Sequence, residues 1–276
     1  MATVLCISSE VVRGYVGGSA ARAALERSGH QLWLLPTVIL SNHPGHPRCG
    51  GEQVPAGRLG AMLDALAGNG WLEEADAVLT GYMPSAEHAG FAAMAARRLR
   101  EVNPGALLLC DPIMGDDPGG LYVKEDVAAA QRDELAGAAD IVTPNAFELG
   151  WMTGRTVDGE AAARDAAARL GRPTVLTTSV PGRHDGEISN LLWRDGTAWV
   201  AHVSRRSYAP HGTGDLMAAL FLARLLEGTE APAALAAATA GVEAALDACE
   251  GRDELRLWGA AAPWTGTHDW PVESLP

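Results

Sequence analysis

The stretch that decides the fold is Leu107-Leu108-Leu109-Cys110-Asp111-Pro112-Ile113-Met114-Gly115-Asp116. It begins as a short apolar run and changes abruptly into a polar segment that contains proline and glycine. A run of this length, ended by turn residues, is typical of a buried strand whose carboxyl end opens into a loop. The two aspartates follow the run directly, so the loop carries the candidate chemistry.

The same pattern recurs along the chain. The other short apolar runs, which we predict to be strands, are Val4–Ser8, Leu32–Leu35, Ala77–Thr80, Ile141–Val142 and Val175–Thr178. The segments with apolar residues at spacings of three and four, which we predict to be helices, are Gly18–Arg27, Gly57–Leu66, Glu87–Val102, Val127–Leu135, Gly159–Leu170, Thr213–Leu226 and Pro232–Ala248. This alternation predicts an α/β fold with a central, mostly parallel sheet flanked by helices. Two later runs around Asp195-Gly196 predict a β-hairpin.

Size and composition indicate one globular domain. The chain has 276 residues, of which 47% are hydrophobic and 20% charged, and an α/β domain can reach this length. We predict a single domain over residues 1–276, with residues 251–276 as an irregular surface tail rich in tryptophan and proline. No apolar run approaches the roughly 18 residues of a membrane span, and the N-terminus lacks a basic leader. These features favour a cytoplasmic protein.

The cysteines do not form a metal or redox motif. None of the four is part of a Cys-x-x-Cys pair, so zinc binding and disulfide chemistry have little support. Cys6 and Cys110 lie inside apolar runs, and we predict buried, reduced thiols there.

The charge of the chain excludes several classes of protein. The net charge is −13 and the isoelectric point is about 5.0, which argues against nucleic acid or an anionic membrane as a partner. Lys124 is the single lysine, and no glycine-rich loop precedes it at the P-loop spacing. A P-loop NTPase and a protein kinase both need such a lysine at a defined place. If the protein transfers phosphate, other groups must bind that charge.

Polar, glycine-rich segments follow the predicted strands. In open α/β sheets, ligands bind at the carboxyl ends of the strands. Turn formation alone explains any one of these segments, but together on one edge they predict a site. The segments are Ser9 with Gly14–Gly18, Ser41–His46, Gly81-Tyr82, Asp111–Asp117 and Thr143–Glu148.

The strongest local signal is Gly212-Thr213-Gly214-Asp215, which opens an apolar helix. The backbone N–H groups and the dipole of a helix N-terminus can hold phosphate without lysine. A carboxylate beside such a pocket can accept a proton from a hydroxyl nucleophile. Helix capping alone would also account for Asp215, so both interpretations stay open here.

A second set of candidates is acidic. Asp111, Asp116 and Glu148 carry hard oxygen ligands that suit a Mg²⁺ ion shared with nucleotide phosphates. Solvated loop acids are the alternative in a chain this acidic. His43 and His46 are a weak metal signal, and contact with a substrate is favoured over zinc because no third ligand is nearby in sequence.

Taken in order from about Thr3 to Leu226, these residues resemble the pyridoxal kinases of the ribokinase-like superfamily. The segments Arg13-Gly14-Tyr15-Val16-Gly17 and Ser41-Asn42-His43 are the most specific to that branch. The other matching segments are Thr80-Gly81-Tyr82, Asp111–Asp116, Tyr122-Val123, Thr143-Pro144-Asn145 with Glu148, and Gly212–Asp215.

The resemblance implies ATP-dependent phosphorylation of the 5′-hydroxyl of pyridoxal and related vitamers, with Asp215 as general base. The amides of Gly212, Thr213, Gly214 and Asp215 would stabilise the transferring phosphoryl group. The residues implied to hold the pyridine ring are Ser9, Val16, His43 and Tyr82, with Asp215 at the hydroxyl. Those implied to contact ATP are Asp111, Tyr122, Asn145, Glu148, Thr177, Thr178, Ser179, Gly212 and Thr213.

The resemblance also implies cations, a lid and a partner. Asp116 and Glu148 would position Mg²⁺, partly through water, and Asp111 and Thr143 would border a K⁺ or Na⁺ site. The loop of residues 116–124 would cover ATP and exclude water. A homodimer is expected from the resemblance alone.

Four residues depart from the family pattern. Gly18 stands where asparagine is common, Glu10 where histidine is usual, Leu40 where an aromatic is usual, and Pro44 where threonine follows Ser-Asn-His. Glu10 would bring a carboxylate near the ring, and Pro44 lacks a hydroxyl and an N–H. These changes leave phosphoryl transfer intact and leave the preferred vitamer open. The alternatives are a hydroxymethylpyrimidine kinase of thiamine biosynthesis and a non-catalytic vitamer-binding regulatory module.

Overall fold

The computed structural model of the chain describes residues 1–208, 210–249, 253–258, 264 and 270–275. The strands are Thr3–Val11 (β1), Gln31–Leu40 (β2), Gly51–Gln53 (β3), Ala77–Thr80 (β4), Leu107–Cys110 (β5), Gly115–Asp116 (β6), Gly120–Leu121 (β7), Ile141–Val142 (β8), Thr174–Pro181 (β9), Glu187–Arg194 (β10), Thr197–Ser204 (β11) and Glu273–Leu275 (β12). The helices are Gly18–Arg27 (α1), Ala56–Gly68 (α2), Ala86–Val102 (α3), Glu125–Ala130 (α4), Ala146–Thr153 (α5), Glu160–Leu170 (α6), Thr213–Leu226 (α7) and Ala231–Asp247 (α8).

A ten-stranded sheet forms the centre of the fold, in the order β12-β11-β10-β9-β8-β5-β4-β1-β2-β3. The strands from β2 to β9 in this order run parallel to one another. The remaining pairs, including the predicted β10–β11 hairpin, are antiparallel. The predicted α/β class and the predicted hairpin are therefore confirmed.

The core lies on both faces of the sheet. On β1, Val4 and Cys6 pack with α1, α7 and α8, whereas Leu5 and Ile7 pack with α2 and α3. Side chains alternate across a strand, so a central strand that is apolar on both faces needs helices on both sides. Each such buried side chain contributes roughly 1.5–3 kcal/mol to folding. Within the described part of the chain, no helix is long and apolar enough to cross a bilayer.

One helix was not predicted. The sequence predicts a polar segment at Thr143–Glu148 after the fifth strand, whereas Ala146–Thr153 forms α5. Asn145 caps its first turn by accepting from the Glu148 N–H, while the Glu148 side chain accepts from the Asn145 N–H. This reciprocal pair is a capping box, which satisfies two amides that a helix start leaves open. The predicted helix Val127–Leu135 also differs, because α4 ends at Ala130 and continues as a π-helical turn.

The C-terminal segment departs from the expected irregular surface tail at two described places. Trp264 is 1% exposed and belongs to the core cluster with α7 and α8. The backbone of Trp264 lies so close to Gly241 of α8 that a Cβ there would be 2.7 Å from its carbonyl oxygen. Further along, β12 pairs with β11 as an edge strand. Tertiary packing thus overrides the irregular local pattern.

The cysteines are free thiols. Cys6, Cys110 and Cys249 are buried and Cys49 is exposed. The prediction of buried, reduced thiols at Cys6 and Cys110 is confirmed. Burial raises the pKa of both thiols, so they stay protonated.

Candidate active site

The parallel strands place the predicted polar segments side by side. The Gly81 N–H donates to the Ile7 carbonyl, the Asp111 N–H to Thr80 and the Thr143 N–H to Cys110, each at 3.0 Å. The sheet ladder therefore continues one residue beyond the strand ends. Asp111 and Thr143 consequently start from neighbouring positions on one edge of the sheet, as the sequence predicted.

The start of α7 meets this edge. Gly212 precedes the helix with a φ of 92°, a region that only glycine enters readily. A Cβ on Gly212 would also collide with the Tyr15 carbonyl oxygen. The first helical hydrogen bond runs from the Leu216 N–H to the Gly212 carbonyl at 2.9 Å, so the amides of the first turn have no partner inside the helix. This end of α7 has the donors that an anion needs.

Asp215 lies in that first turn. Its carboxylate accepts from the Gly17 N–H and from its own N–H, while burial raises its pKa to about 6. It borders a small cavity together with Ser8, Gly17 and Asp111. At neutral pH the carboxylate is largely ionised and only weakly solvated, and a general base has this character.

Asp111 adds a second carboxyl group to the same cavity. It is 6% exposed, and burial together with the charges of Asp215 and Glu148 holds its pKa well above the usual range. Next to it, the buried hydroxyl of Thr143 faces the Asp111 carboxyl group and partly offsets the rise in its pKa. Both observations describe an electronegative site that a cation would stabilise.

Glu148 is bound more tightly to the backbone than the sequence suggested. One carboxylate oxygen lies 2.7 Å from the Met114 N–H and 3.4 Å from the Gly115 N–H, and the other accepts from Asn145 at 2.9 Å. Burial raises its pKa to about 7 despite these bonds. Asn145 in turn donates to the Gly115 carbonyl at 2.8 Å. Glu148 and Asn145 thus hold the loop that leads to the predicted metal residue Asp116.

A divalent ion with many direct protein ligands does not fit this site. Among the described residues, no three His, Cys, Asp or Glu side chains come together as a metal cluster, and Asp116 is exposed. Mg²⁺ usually keeps several waters and binds through one or two carboxylates plus substrate phosphates. The oxygen donors of Asp111, Asp116 and Glu148 fit such a water-rich ion.

The predicted lid contains a small hairpin, β6 and β7. Tyr122 follows β7, and its N–H donates to the Met114 carbonyl at 3.0 Å. The residue is 55% exposed, and partial burial followed by the charge of Glu148 raises its pKa. The lid therefore brings Tyr122 into the field of the acidic site. Lys124 is exposed and directly precedes α4.

The residues predicted to contact ATP after β8 and within β9 are only partly accessible. Thr178 pairs with Asn145 through a backbone bridge, which joins two of them. Ser179 is exposed and has a φ of 57°. Thr177 is fully buried, and its hydroxyl has no partner. The structure thus exposes Ser179 but not the Thr177 side chain.

Two of the predicted ring-binding residues, Ser9 and Tyr82, contact residues that line the cavity of Asp215. Ser9 is buried against Gly17, where a Cβ would collide with the Ser9 hydroxyl. The Tyr82 N–H donates to the Ser8 hydroxyl at 3.3 Å, so Tyr82 sits beside the same strand end. Since Gly17 also donates to Asp215, the glycine-rich loop connects the ring-binding residues to the general base. Val16 is half-buried in this loop.

His43 has a neighbour that the sequence did not single out. Its ring stacks on that of His211 with centroids 3.7 Å apart. Burial, followed by the nearby charges of His211 and His46, lowers the pKa of His43 to about 4. Burial also lowers the pKa of His211. His211 directly precedes Gly212, and that adjacency was the one available signal.

Two of the unusual residues have a structural explanation. Gly18 opens α1, and a Cβ there would lie 2.6 Å from Leu34 Cδ1 and 3.0 Å from the Ser9 carbonyl. Leu34 thus occupies the space that an asparagine would need. The Glu10 carboxyl group lies by Ser19 and near Arg22 of α1, and burial raises its pKa. Glu10 therefore interacts with α1 and not with the ring-binding residues.

A larger groove lies elsewhere on the molecule. It has a volume of about 480 Å³, and three of its lining residues are Arg132, Arg169 and Arg172. None of the predicted site residues lines it. Of the predicted site residues, Asp111 and Asp215 line the smaller cavity instead.

The fold and site define an α/β kinase of the ribokinase-like type. A family model described as phosphomethylpyrimidine kinase matches residues 66–256. Pyridoxal kinase PdxY of Corynebacterium diphtheriae is 35% identical over 244 residues, which cover 87% of this chain and 86% of the relative. A pyridoxine/pyridoxal/pyridoxamine kinase of Bordetella avium is 38% identical over 241 residues, covering 86% and 81% of the two chains.

A solved structure agrees with these sequence matches. Pyridoxal kinase from Leishmania donovani, in complex with ADP and ginkgotoxin, superposes with a TM-score of 0.93 at 30% identity and covers 100% of both chains. The chain belongs to the pyridoxal kinase family. The resemblance inferred from the sequence is confirmed.

Proposed function

We propose that this chain transfers the γ-phosphoryl group of ATP to the 5′-hydroxyl of pyridoxal, and of pyridoxine and pyridoxamine as related acceptors. The observation that carries the proposal is the position of Asp215 in the first turn of α7. A partly desolvated carboxylate there lies in the anion-binding turn, accepts from the Gly17 N–H of the glycine-rich loop, and shares a cavity with Ser8 and Gly81, the chain neighbours of Ser9 and Tyr82. The relatives named above are pyridoxal kinases, which supports the same acceptor.

In this transfer, Asp215 acts as the general base. The 5′-hydroxyl gives its proton to the Asp215 carboxylate as its oxygen forms a bond to the γ-phosphorus. The bond from that phosphorus to the β,γ-bridging oxygen breaks, and ADP leaves with the electron pair. The amides of Gly212, Thr213 and Gly214 donate to the phosphoryl oxygens, where charge must be held.

The acidic residues serve the cations. Mg²⁺, when bound, neutralises phosphate charge and aligns the nucleotide. Asp116 would contact it directly or through water, and Asp111 with Glu148 would orient the waters around it. The buried Thr143 hydroxyl and the Asp111 carboxyl group offer oxygen ligands that would fit a K⁺ or Na⁺ ion.

Nucleotide contacts are proposed for the adjoining strand ends. Asn145, Thr178 and Ser179 lie on the ATP side, and Tyr122 covers it from the lid. Thr177 would contribute only after a local shift, because its side chain is buried. Closure of the lid would exclude water, which otherwise competes with the hydroxyl as acceptor.

Hydroxymethylpyrimidine is the second candidate acceptor. The family model that matches residues 66–256 is described as phosphomethylpyrimidine kinase, and both acceptors are small rings with a hydroxymethyl group. The segments Arg13–Gly17 and Ser41–His43 favour pyridoxal. A non-catalytic vitamer-binding module is disfavoured because Asp215 and its amide cradle are intact.

A coupled assay for ADP release with a panel of acceptors tests the function. We expect turnover with pyridoxal and much less with hydroxymethylpyrimidine. Turnover of hydroxymethylpyrimidine alone would overturn the proposal in favour of the second candidate. Binding of vitamers without any turnover would favour the non-catalytic module.

A homodimer is proposed on the family resemblance. Size-exclusion chromatography with light scattering would test it, and a mass near the 28.8 kDa of one chain would contradict it.

A further inference from the structure

A short segment after α8, residues 253–258, contacts two separate parts of the candidate active site. Its Trp258 ring stacks on Tyr15 with centroids 6.2 Å apart and an interplanar angle of 18°. The backbone of Glu254 forms a bridge with His211. Leu255 lies within 3.3 Å of the place where a Cβ on Gly212 would be. The segment therefore lies against both the glycine-rich loop and the start of the anion-binding turn.

Glu254 makes the polar contacts of this segment. One of its carboxylate oxygens, Oε1, lies 2.5 Å from Arg13 Nη1 and 3.3 Å from His46 Nε2. The same oxygen lies 3.4 Å from the place where a Cβ on Gly14 would be. Arg13 precedes the loop that contains Val16, whereas His46 belongs to the loop that contains His43. A single oxygen thus contacts both loops that carry predicted ring-binding residues.

The exposure of the Glu254 and Arg13 side chains indicates that their ion pair positions the loops more than it stabilises the fold. The Glu254 side chain is 20% exposed and that of Arg13 is 68% exposed. Ion pairs with one partner so exposed add little to folding stability. Displacement of a binding loop by about 1 Å, in contrast, can lower the rate of a positioned reaction by about two orders of magnitude. Removal of the carboxylate should therefore alter substrate binding far more than it alters unfolding.

We propose that Glu254 is a positioning residue of the acceptor-binding pocket. Through Arg13 it holds the glycine-rich loop, through His46 it holds the Ser-Asn-His loop, and through its backbone it holds the residue that stacks on His43. Glu254 does not touch the reacting groups itself. The proposal rests on the proposed function in one respect, since it takes Val16 and His43 as acceptor-facing residues.

The variant Glu254→Gln tests this with almost no change in shape. We expect the KM for the acceptor to rise at least about fivefold, as for the loss of one charged hydrogen bond, while the KM for ATP and the melting temperature stay near those of the wild type. The matched control is Glu243→Gln, which removes the Arg206–Glu243 ion pair of 2.7 Å between residues that contact neither Arg13 nor Glu254. Its acceptor KM should not change.

A second variant covers the case in which Glu254→Gln folds poorly. Arg13→Gln alters an exposed side chain and should raise the acceptor KM by a similar factor. The double variant should then be no worse than either single variant, because the two residues act through one contact. An unchanged acceptor KM in both single variants, an equal rise in the KM for ATP, or fully additive effects would overturn the proposal.

The KM measurements use an acceptor that the wild-type chain phosphorylates in the panel described above, so they do not require that acceptor to be pyridoxal. Failure of the wild-type chain to phosphorylate pyridoxal counts against the proposed function. The response of the KM to Glu254→Gln still decides the role of Glu254.

Discussion

The two sides of the candidate active site are built in different ways. On the phosphoryl-transfer side, Asp111 and Glu148 are buried, and backbone amides hold the Glu148 carboxylate. On the acceptor side, His43 and Arg13 are half-buried or exposed, and side-chain stacks and ion pairs hold their loops. Backbone bonds in a buried site fix geometry, whereas exposed side-chain contacts can be exchanged at little cost in stability. Of the departures from the family pattern, Pro44 directly follows His43 on the acceptor side, whereas the Glu10 carboxyl group has its partners on α1.

The comparison predicts that changes on the buried side affect chemistry, and that changes on the exposed side affect acceptor choice. The predictions below test this division.

The largest effect is expected for Asp215→Asn. Loss of a general base lowers kcat by about 10²–10⁴-fold, while ATP binding should persist because the amides of α7 remain. Steady-state kinetics and calorimetric titration with ATP measure the two quantities. Near-normal turnover would contradict the assigned role.

Gly212→Ala should also be severe. The alanine would be held at a φ of 92° and would press its methyl group on the Tyr15 carbonyl. Strain of this kind costs about 1–3 kcal/mol, so the melting temperature should fall and kcat should drop by about tenfold or more. Gly214→Ala, with nothing within 4 Å of the added carbon, is the control for melting temperature. A Gly212→Ala variant as stable as that control would contradict the argument.

The pH profile should show an acidic limb set by Asp215. Burial raises the pKa of this carboxyl group to about 6, and the ionised form is the active one. Activity should therefore fall as the pH drops through 6, to about one tenth at pH 5. Above pH 7 the titration of Asp215 should cause no further change in activity. The profile of kcat against pH checks this. An acidic limb near pH 4 would show that the pKa of Asp215 is not raised.

Pro44→Thr should have a smaller effect, confined to the acceptor. Pro44 is exposed beside His43, and threonine would restore a hydroxyl and an N–H. One added hydrogen bond is worth about 1 kcal/mol, so the KM for pyridoxal should fall by up to about fivefold with kcat unchanged. A change in kcat without a change in KM would show that Pro44 affects phosphoryl transfer and not acceptor binding.

Lys124→Ala should have the smallest effect. The side chain is exposed at the start of α4, and Mg²⁺ with the amides of α7 already offsets the phosphate charge. An exposed charge contributes about 1 kcal/mol or less, so kcat/KM should stay within about fivefold of the wild type. An absolute requirement for Lys124 would show that the amides and Mg²⁺ are not sufficient.

Much of this arrangement could be predicted from the sequence, because the carboxyl ends of parallel strands lie side by side on one edge of the sheet. Asp111 and Thr143 each follow an apolar run, and neighbouring strands bring such positions together. The helix at Ala146–Thr153 was missed although Asn145 and Glu148 stand at capping-box spacing. The spacing was present, but the residues were interpreted only as ligands.

Other parts could not be predicted from local patterns. Arg13 and Glu254 meet across 241 positions of sequence, and His211 also stacks on His43 from a distant part of the chain. No periodicity or motif encodes such pairs, because they depend on how distant segments pack. The burial of Trp264 against Gly241 has the same origin.

By itself, the sequence determined the class of fold, the family and the absence of any lysine-based phosphate loop. Apolar runs, helical spacing and the Gly212–Asp215 turn are local, so chain order suffices to read them. Only the tertiary structure decided that Asp215 is buried enough to have a pKa of about 6 and that Glu148 is used to hold a loop. It also decided which distant residues support His43. Burial and long-range contacts depend on all the surrounding elements at once, and those elements meet only in the folded chain.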